Sequence, residues 1–364
     1  MKVKDVIQVL EELAPQSYAE DFDNTGLLIG NKNEEVTGIL VTLDTLESVV
    51  DEAISKNCNL IVSFHPIIFS GLKKITGSSY VERVVLKAIT HKIAIFAIHT
   101  ALDNAWNGVN AKICDTLNLS NRKILIPQKG TIKKLVTFAP IAEADSIRKA
   151  LFSVGAGEIG NYSNCSFTSE GTGSFNGNDS ANPSIGKKGE THFEKEVQIG
   201  VTFQRHLEAK VVSALFEAHS YEEVAYEITT LENTNQHIGM GMIGELATEM
   251  KPADFLTFLK GAMNTRCVRH SEISNKLIKK VAVLGGSGSF AIEAAQRAGA
   301  DAFVTADLKY HDFFKAESNL LLADIGHYES EQFTKELLHS FLNKKITNFA
   351  VVLAQTNTNP ISYF

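Results

Sequence analysis

Apolar and polar residues alternate along the first part of this chain in two repeating patterns. Short apolar runs, such as 60–62 and 93–98, predict buried strands. Segments with apolar residues at helical spacing, such as 46–56 and 81–91, predict helices between them. Strands that alternate with helices are typical of a mostly parallel sheet with covered faces. The pattern therefore predicts an α/β fold for residues 1–130.

The pattern changes near Lys133 and resumes near Gly239. Between these points the chain predicts strands and helices in the order strand 135–139, helix 142–154, strand 198–203, helix 208–218 and strand 226–229. This order is typical of the split βαβ arrangement of ferredoxin-like α+β domains. We therefore predict one α/β domain in two halves, 1–130 and 236–364, interrupted by an inserted domain at 131–235.

Composition narrows the class of protein. The chain has 364 residues, a formal net charge of -7 and no long basic run, so a nucleic-acid partner is not expected. Its four cysteines are scattered without a CxxC pair, which argues against a disulfide framework and against a thiolate metal site. No apolar run reaches the roughly 18 residues that span a bilayer, and the first helix is amphipathic rather than a signal peptide. We expect a cytoplasmic protein.

Imidazole and carboxylate side chains follow three of the predicted strands. They are His65, then the pair His99 and Asp103, then the pair His327 and Glu331. Ligands in open α/β sheets collect at the carboxyl ends of strands, so we expect these residues to share one metal site. A spacing of four places both members of a pair on one face of a helix. For any single pair, a surface ion pair or a helix cap is the alternative interpretation.

The donor atoms of this set are nitrogen and oxygen, which suits Zn, Fe or Mn and disfavours Cu(I) or an iron–sulfur cluster. Carboxylates that bridge two metals about 3.5–4 Å apart would indicate hydrolytic chemistry. Asp103 and Glu331 are the candidate bridging ligands, and with His99 they form the predicted catalytic set. Asp307 and His311 are either supporting groups of this site or polar residues at a helix start.

Two glycine-rich segments leave alternatives open. Residues 286–291 fit a G-x-G-x-x-A pattern, which predicts either an anion-binding turn or a plain tight turn between strand and helix. A dinucleotide-dependent oxidoreductase that uses this turn is the least favoured functional hypothesis. The Gly-, Ser- and Asn-rich stretch at 169–189 is either a flexible linker or an ordered loop of the inserted domain.

Five motifs carry a family resemblance: Asp23-Asn24-Thr25-Gly26-Leu27, Ser63-Phe64-His65-Pro66, His99-Thr100-Ala101-Leu102-Asp103, Gly326-His327-Tyr328-Glu329-Ser330-Glu331 and Asn359-Pro360-Ile361-Ser362-Tyr363-Phe364. With them the chain resembles the Nif-three-like family of dinuclear-metal-centre hexameric proteins, often named GTP cyclohydrolase 1 type 2 homologues. The resemblance covers essentially the whole chain. The middle part is similar to the insert of longer bacterial members, which itself resembles the CutA and PII ferredoxin-like trimeric proteins.

This resemblance implies a site for up to two divalent ions per chain, Zn, Fe or Mn. The ligands that it carries over are His65, Asp103, His327 and Glu331, with His99 beside them. Many bacterial members have two adjacent histidines where this chain has Phe64 and His65. Phenylalanine cannot bind a metal, so we expect one firm metal site and one weaker site.

The resemblance also implies a toroidal homohexamer of two trimers whose metal sites face an internal cavity. The function that it favours is a metal-dependent hydrolase acting on a nucleotide or a small phosphorylated substrate. The alternative is a non-enzymatic metal-binding or regulatory scaffold, such as a metal chaperone or a ligand sensor. Catalytic sites keep an open coordination position whereas structural sites are closed. Four or five protein ligands shared by two ions would leave positions open, which favours catalysis.

Overall fold

A computed structural model describes residues 1–364, and the chain divides into two compact units. One unit, here called the discontinuous unit, comprises Met1–Pro127 and Gln236–Phe364. The other, here called the inserted unit, comprises Gln128–Asn235. Each unit has a buried apolar core. None of the helices combines the length and the apolar character that a bilayer-spanning segment needs.

The discontinuous unit contains two sheets, and the first has five strands: β1 Gly26–Ile29, β2 Ile39–Thr42, β3 Leu60–Ser63, β4 Ala94–Ala97 and β15 Val351–Leu353. Their order across the sheet is β1-β4-β3-β2-β15. Strands β15, β2, β3 and β4 run parallel, and β1 pairs antiparallel with β4. The parallel strands therefore bring the residues that follow them to one edge of the sheet.

Helices cover this sheet and the second one. The helices of the discontinuous unit are α1 Val3–Leu13, α2 Glu47–Ser55, α3 Tyr80–Thr90, α4 His99–Asp103, α5 Val109–Thr116, α8 Pro252–Ala262, α9 Ile292–Arg297, α10 His327–Glu331 and α11 Thr334–Lys345. Successive strand residues face opposite sides. Leu40 joins a core with α2 and α3, whereas Val41 joins a core that includes residues of the second sheet.

The second sheet has six strands: β5 Ser120–Pro127, β10 Gly239–Met250, β11 Arg269–His270, β12 Ile278–Ser287, β13 Ala302–Ala306 and β14 Leu321–Asp324. Their order is β11-β14-β13-β12-β10-β5. Only β12, β13 and β14 are parallel, because β10 pairs antiparallel with both β5 and β12, and β11 pairs antiparallel with β14.

The expectation of a mostly parallel sheet therefore needs correction. It describes the first sheet but not the second, where three of the pairings are antiparallel. The physical reason lies partly in the insertion. The chain leaves along β5 and returns along β10, with Pro127 opposite Gly239, so the two strands pair as the stems of a very long hairpin.

The inserted unit has the element order β6 Ile132–Pro140, α6 Ala144–Ser153, β7 Phe167–Asn176, β8 Thr191–Gln204, α7 Glu208–Ala218 and β9 Tyr226–Thr230. These strands form one antiparallel sheet in the order β7-β8-β6-β9. This βαββαβ connectivity is that of the split βαβ motif. Ile147, Leu151, Val211 and Leu215 bring the two helices into the same buried core as the sheet.

The Gly-, Ser- and Asn-rich stretch of the inserted unit is not a linker. Its first part belongs to β7, which pairs with β8 from Phe167 opposite Gly200 to Asn176 opposite Thr191. Strand β7 was not predicted because most residues of this edge strand are exposed and polar, so its sequence has no apolar alternation. The rest of the stretch, residues 177–190, forms a loop that joins β7 to β8.

Candidate metal centre

Three side chains extend from the carboxyl edge of the first sheet. Asp44, His65 and His99 each lie two residues beyond the end of a strand, β2, β3 and β4 respectively. The backbone pairing continues past the strand ends, since the His65 amide donates to the Leu43 carbonyl at 2.9 Å and the His99 amide donates to the Phe64 carbonyl at 2.9 Å. The parallel strands thus hold the three side chains side by side.

The second sheet supplies the opposing side chains. Asp307 follows β13, and helix α10 begins at His327 and ends at Glu331. Strand β12 passes this helix at Gly286, where an added Cβ atom would lie 2.4 Å from Glu331 Oε1. Gly286 also has a φ of +70°, which strains other residues. Glycine is needed here because the Glu331 carboxylate occupies the space of a side chain.

The backbone amides of the glycine-rich turn are engaged within the protein. The Gly286 amide donates to Ser330 Oγ at 2.9 Å, and the Gly285 amide donates to Asn110 Oδ1 at 3.1 Å. The helix that follows, α9, has only six residues and starts after a short 3₁₀ turn. These contacts favour the tight-turn interpretation over an anion-binding turn.

Three metal-ligating atoms converge where the two sheets meet. His65 Nε2 lies 3.1 Å from Glu331 Oε2, and His327 Nε2 lies 3.2 Å from the same oxygen. The two Nε2 atoms are 3.4 Å apart. Glu331 is buried, with 3% of its surface exposed, whereas both histidines are partly exposed. This group of His65, His327 and Glu331 is here called the convergent triad.

Each imidazole of the convergent triad is oriented by a carboxylate. His65 Nδ1 lies 2.8 Å from Asp44 Oδ1, and His327 Nδ1 lies 2.7 Å from Asp307 Oδ2. An ionised carboxylate only accepts hydrogen bonds, so each Nδ1 carries a proton and each Nε2 of a neutral ring presents a lone pair. Thr358 in turn donates to Asp44 Oδ2 at 2.6 Å.

This arrangement fits a bound cation. With neutral rings, two nitrogen lone pairs and a carboxylate oxygen face one another within 3.4 Å, and only a proton or a metal ion relieves that repulsion. Glu331 Oε2 is shielded from solvent and lies 3.1 Å from the Nε2 atom of His65 and 3.2 Å from that of His327. The donor set of two imidazoles and one carboxylate is common for zinc and non-haem iron.

The pKa values of the three triad residues reflect the short distances between their ionisable groups. Burial lowers the pKa of His65, but its hydrogen bonds to Asp44 and Glu331 outweigh burial and raise the pKa to about 10. Burial also lowers the pKa of His327, while the hydrogen bond and charge of Glu331 raise it to about 9. Burial raises the pKa of Glu331, and its bonds to both histidines lower it to about 2. The metal-free site therefore takes up positive charge as protons.

A second set of predicted residues lies on the other side of His65. It consists of Phe64, His99 and Asp103, here called the Phe64 side. The Phe64 ring is fully buried, with ring centroids 4.9 Å from His65 and 5.5 Å from His99. The His99 and His65 rings meet edge-to-face at 5.3 Å. An apolar ring thus occupies core space next to both imidazoles.

His99 is held by its own carboxylate. Its Nδ1 lies 2.8 Å from Asp23 Oδ1, while Asp23 Oδ2 accepts hydrogen bonds from the amide and the hydroxyl of Thr100. The bonds from His99 and Thr100 outweigh the burial that raises the pKa of Asp23, so this pKa is lowered. His99 has a φ of +28°, a strained value for a residue other than glycine and one often found at functional sites.

Asp103 stays outside the convergent triad. The ligand atoms that lie within 4.8 Å of one another come from His65, His327 and Glu331. Asp103 Oδ1 is shielded from solvent and accepts no hydrogen bond. Burial, followed by the charge of Glu331, raises its pKa well above the ordinary value. The roles assigned to Asp103 as a metal ligand and to His99 and Asp103 in catalysis stay predictions.

Two of the orienting carboxylates, Asp44 and Asp23, were not among the residues predicted from the sequence. Asp44 had the same signal as His65, since it follows a buried apolar strand, and Asp23 lies in a motif that carried the family resemblance. Asp307 fulfils the supporting role considered for it, and its own φ is +57°. His311 does not: it is exposed and packs against the Tyr310 ring at 5.2 Å.

Comparisons with known proteins agree with this fold. The family model of Duf34/NIF3 (NGG1p interacting factor 3) matches residues 1–360. The GTP cyclohydrolase 1 type 2 homolog of Bacillus subtilis is 40% identical over 364 residues, which cover 98% of this chain and 97% of that protein. The protein of the same name from Halalkalibacterium halodurans is 39% identical, with 98% of both chains covered.

Solved structures of similar proteins superpose on this chain over its whole length. A Bacillus cereus protein related to NIF3 superposes with a TM-score of 0.86 at 36% identity, covering 100% of this chain and 99% of that one. A Staphylococcus aureus protein superposes with a TM-score of 0.79 at 32% identity and the same coverage.

Proposed function

The chain belongs to the Duf34/NIF3 family, and from that premise we propose that it is a divalent-metal-dependent hydrolase acting on a nucleotide or a small phosphorylated substrate. The observation that carries the proposal is the convergent triad, in which two oriented imidazoles and a buried carboxylate meet within 3.4 Å. The name GTP cyclohydrolase 1 type 2 homolog, borne by its relatives, is consistent with this class of reaction.

In this proposal the residues of the site have three roles: metal binding, orientation of the imidazoles and proton acceptance. His65, His327 and Glu331 hold the ion, and Asp44 and Asp307 keep the Nδ1 protons of the two rings in place. A bound divalent ion supplies Lewis acidity toward a substrate oxygen and activates water. His99, whose Nδ1 is fixed by Asp23, presents Nε2 as an acceptor for the proton of the attacking water.

A second ion would use the Phe64 side. Asp103 and His99 would be the residues that hold it, in line with the predicted total of up to two Zn, Fe or Mn ions per chain. Phe64 supplies no donor atom and fills the space beside both imidazoles. This supports one firm and one weaker metal site.

The assembly belongs to the same proposal. We assign 1–130 and 236–364 to the two halves of the metal-binding domain and 131–235 to a CutA/PII-like insert, supported by the βαββαβ order and the antiparallel sheet. We further propose that six chains form a toroid of two trimers in the cytoplasm, with the metal sites facing an internal cavity.

Metal content and turnover together test the proposed function. Elemental mass spectrometry on protein purified without chelator or histidine tag should find one tightly bound divalent ion per chain. The metal-loaded protein should then hydrolyse a member of a panel of nucleoside triphosphates, cyclic nucleotides and phosphomonoesters, while Glu331→Gln should not. Absence of bound ion after reconstitution with Zn, Fe and Mn would overturn the metal site itself.

A non-enzymatic scaffold is the second candidate. The apolar ring of Phe64 and the position of Asp103 outside the convergent triad favour it, because both weaken the second half of a two-metal site. Stoichiometric metal without turnover of any substrate in the panel would support a metal chaperone or a ligand sensor over a hydrolase.

A further inference from the structure

The inserted unit encloses a cavity that the metal centre does not use. Its volume is about 500 Å³, which lies within the range of small-molecule sites. The cavity is bounded by the end of β7, the loop 177–190 and the segment 221–225. Its walls are largely apolar, and the larger apolar contributors are Phe138, Phe175, Pro183 and Ile185.

Hydrogen bonds hold the loop over this cavity. The Asn182 amide donates to Glu222 Oε2 at 2.7 Å, and Ser184 Oγ donates to the Ser220 carbonyl at 2.9 Å. At the base of the loop, the Gly189 amide donates to the Gly177 carbonyl at 2.7 Å. The glycine-rich stretch is therefore the roof of a cavity, and the contacts offset the entropy lost when such a sequence is ordered.

All the charged residues that line the cavity are acidic. Three of its lining residues, Glu196, Glu222 and Glu223, are acids, and no lysine, arginine or histidine lines it. The hydrogen bonds that these carboxylates accept come from neutral donors, as when the Tyr221 hydroxyl donates to Glu196 Oε1 at 2.9 Å. None of the three carboxylates forms an ion pair within the protein, and Glu196 is the one among them that is partly buried, so it is the position where a cation would be attracted most.

The backbone of β7 leaves space for the Glu196 carboxylate at Gly173. An added Cβ atom on Gly173 would lie 2.1 Å from Glu196 Oε2, so glycine allows the carboxylate to lie across β7 toward the cavity. Phe175 and Tyr221 lie 6.5 Å apart, and aromatic faces next to a carboxylate favour an organic cation over a hydrated metal ion. Phosphorylated ligands are disfavoured because their charge matches that of the walls.

We propose that this cavity binds a small organic ammonium ion, an amine with an apolar or aromatic body. The ammonium group would lie at Glu196, and the body would lie against Phe138, Phe175 and the roof. Such a site would make the inserted unit a ligand-binding domain with chemistry opposite to that of the nucleotide substrate proposed for the metal centre, so either proposal can fail without the other.

A matched set of three probes tests the charge preference on the full-length, metal-loaded protein. The probes are 2-phenylethylamine, 2-phenylethanol and 3-phenylpropionate, which share a phenyl body and differ in charge. Titration calorimetry with ligand-observed NMR should find that the amine binds at least about tenfold more tightly than the other two. Equal binding of all three, or binding of none, would overturn the proposal.

Substitutions in the cavity test whether the amine binds there. Glu196→Gln keeps an oxygen for the Tyr221 hydroxyl but removes the charge, so amine affinity should fall by about tenfold. Glu170→Gln, at an exposed position of β7, the strand that pairs with the one carrying Glu196, is the control and should bind as the wild type does. Ala181→Phe should fill the cavity and abolish binding. Unchanged amine binding in both Glu196→Gln and Ala181→Phe would place the ligand elsewhere.

Discussion

The convergent triad and the Phe64 side lie next to each other at one strand edge, yet they are built differently. In the triad, two histidines and Glu331 meet within 3.4 Å, and each imidazole is oriented by a carboxylate. On the Phe64 side, His99 has the same kind of carboxylate partner, but a buried phenyl ring stands beside it and Asp103 contributes no atom to the cluster.

Orientation of the imidazoles alone does not make a metal-binding site. An orienting carboxylate is present on both sides, so it is not sufficient. The convergent triad also has ligands arriving from two opposing sheets, whereas the Phe64 side relies on residues that follow strands of the first sheet. Metal ligands need to surround an ion, and opposing elements do this better than neighbouring strand ends.

The largest expected effect comes from removing the shared carboxylate of the triad. Glu331→Gln should lower the affinity for a divalent ion on the order of 100-fold or more, because a charged ligand common to both histidines is lost. Elemental analysis after gel filtration measures the effect. Glu336→Gln, an exposed position of α11, is the control and should retain the metal. Full metal content in Glu331→Gln would contradict the role of the triad.

The orienting carboxylates should matter next. Asp44→Asn should weaken metal binding by roughly 10- to 100-fold, since the Nδ1 proton of His65 loses its acceptor charge. Asp307→Asn should cost less, because the Asp307 side chain is 48% exposed against 31% for Asp44. Competition with a fluorescent chelator gives both affinities. The comparison fails if Asp307→Asn is the more damaging substitution.

The metal affinity of the convergent triad should rise with pH. The pKa values of His65 and His327 rise to about 10 and about 9, so protons must leave before a metal binds. Apparent affinity should therefore increase with pH, by about tenfold per unit for each proton released. The charged rings stabilise the metal-free fold below the ordinary pKa of 6.5, and that stabilisation is lost as pH rises through the two folded-state values.

Chelator competition at pH 6, 7 and 8 follows the affinity, and thermal unfolding in chelator follows the metal-free fold. A flat affinity profile across these conditions would show that the two imidazoles are already neutral before the ion arrives.

The smallest effect should come from restoring a donor on the Phe64 side. Phe64→His should raise the bound metal from about one ion per chain toward two, while the lost packing of a buried phenyl ring costs roughly 2–4 kcal/mol of stability. Phe64→Leu is the control, since it loses packing but adds no nitrogen. Equal metal content in the two variants would indicate that Asp103 and His99 do not form a second site.

Local features of this protein could be predicted from the order of its residues. Helix α7 was predicted with its observed bounds, and the buried strands were found from their apolar runs. His327 and Glu331 were paired by their spacing of four, which places both on one helical face whatever the rest of the chain does. The family resemblance that the motifs carried was confirmed by the family match over residues 1–360.

The tertiary structure alone decided how these pieces meet. His65 and His327 are 262 positions apart, so no local pattern could place their Nε2 atoms at 3.4 Å. The pairing of Asp44 with His65 and of Asp307 with His327 is visible only in the fold, as is the space that Gly286 leaves for Glu331. Strands β5, β7 and β10 were missed because pairing with distant strands, not their own apolar pattern, makes them strands. Spacing along a chain encodes local geometry, whereas a metal site depends on which distant elements pack together.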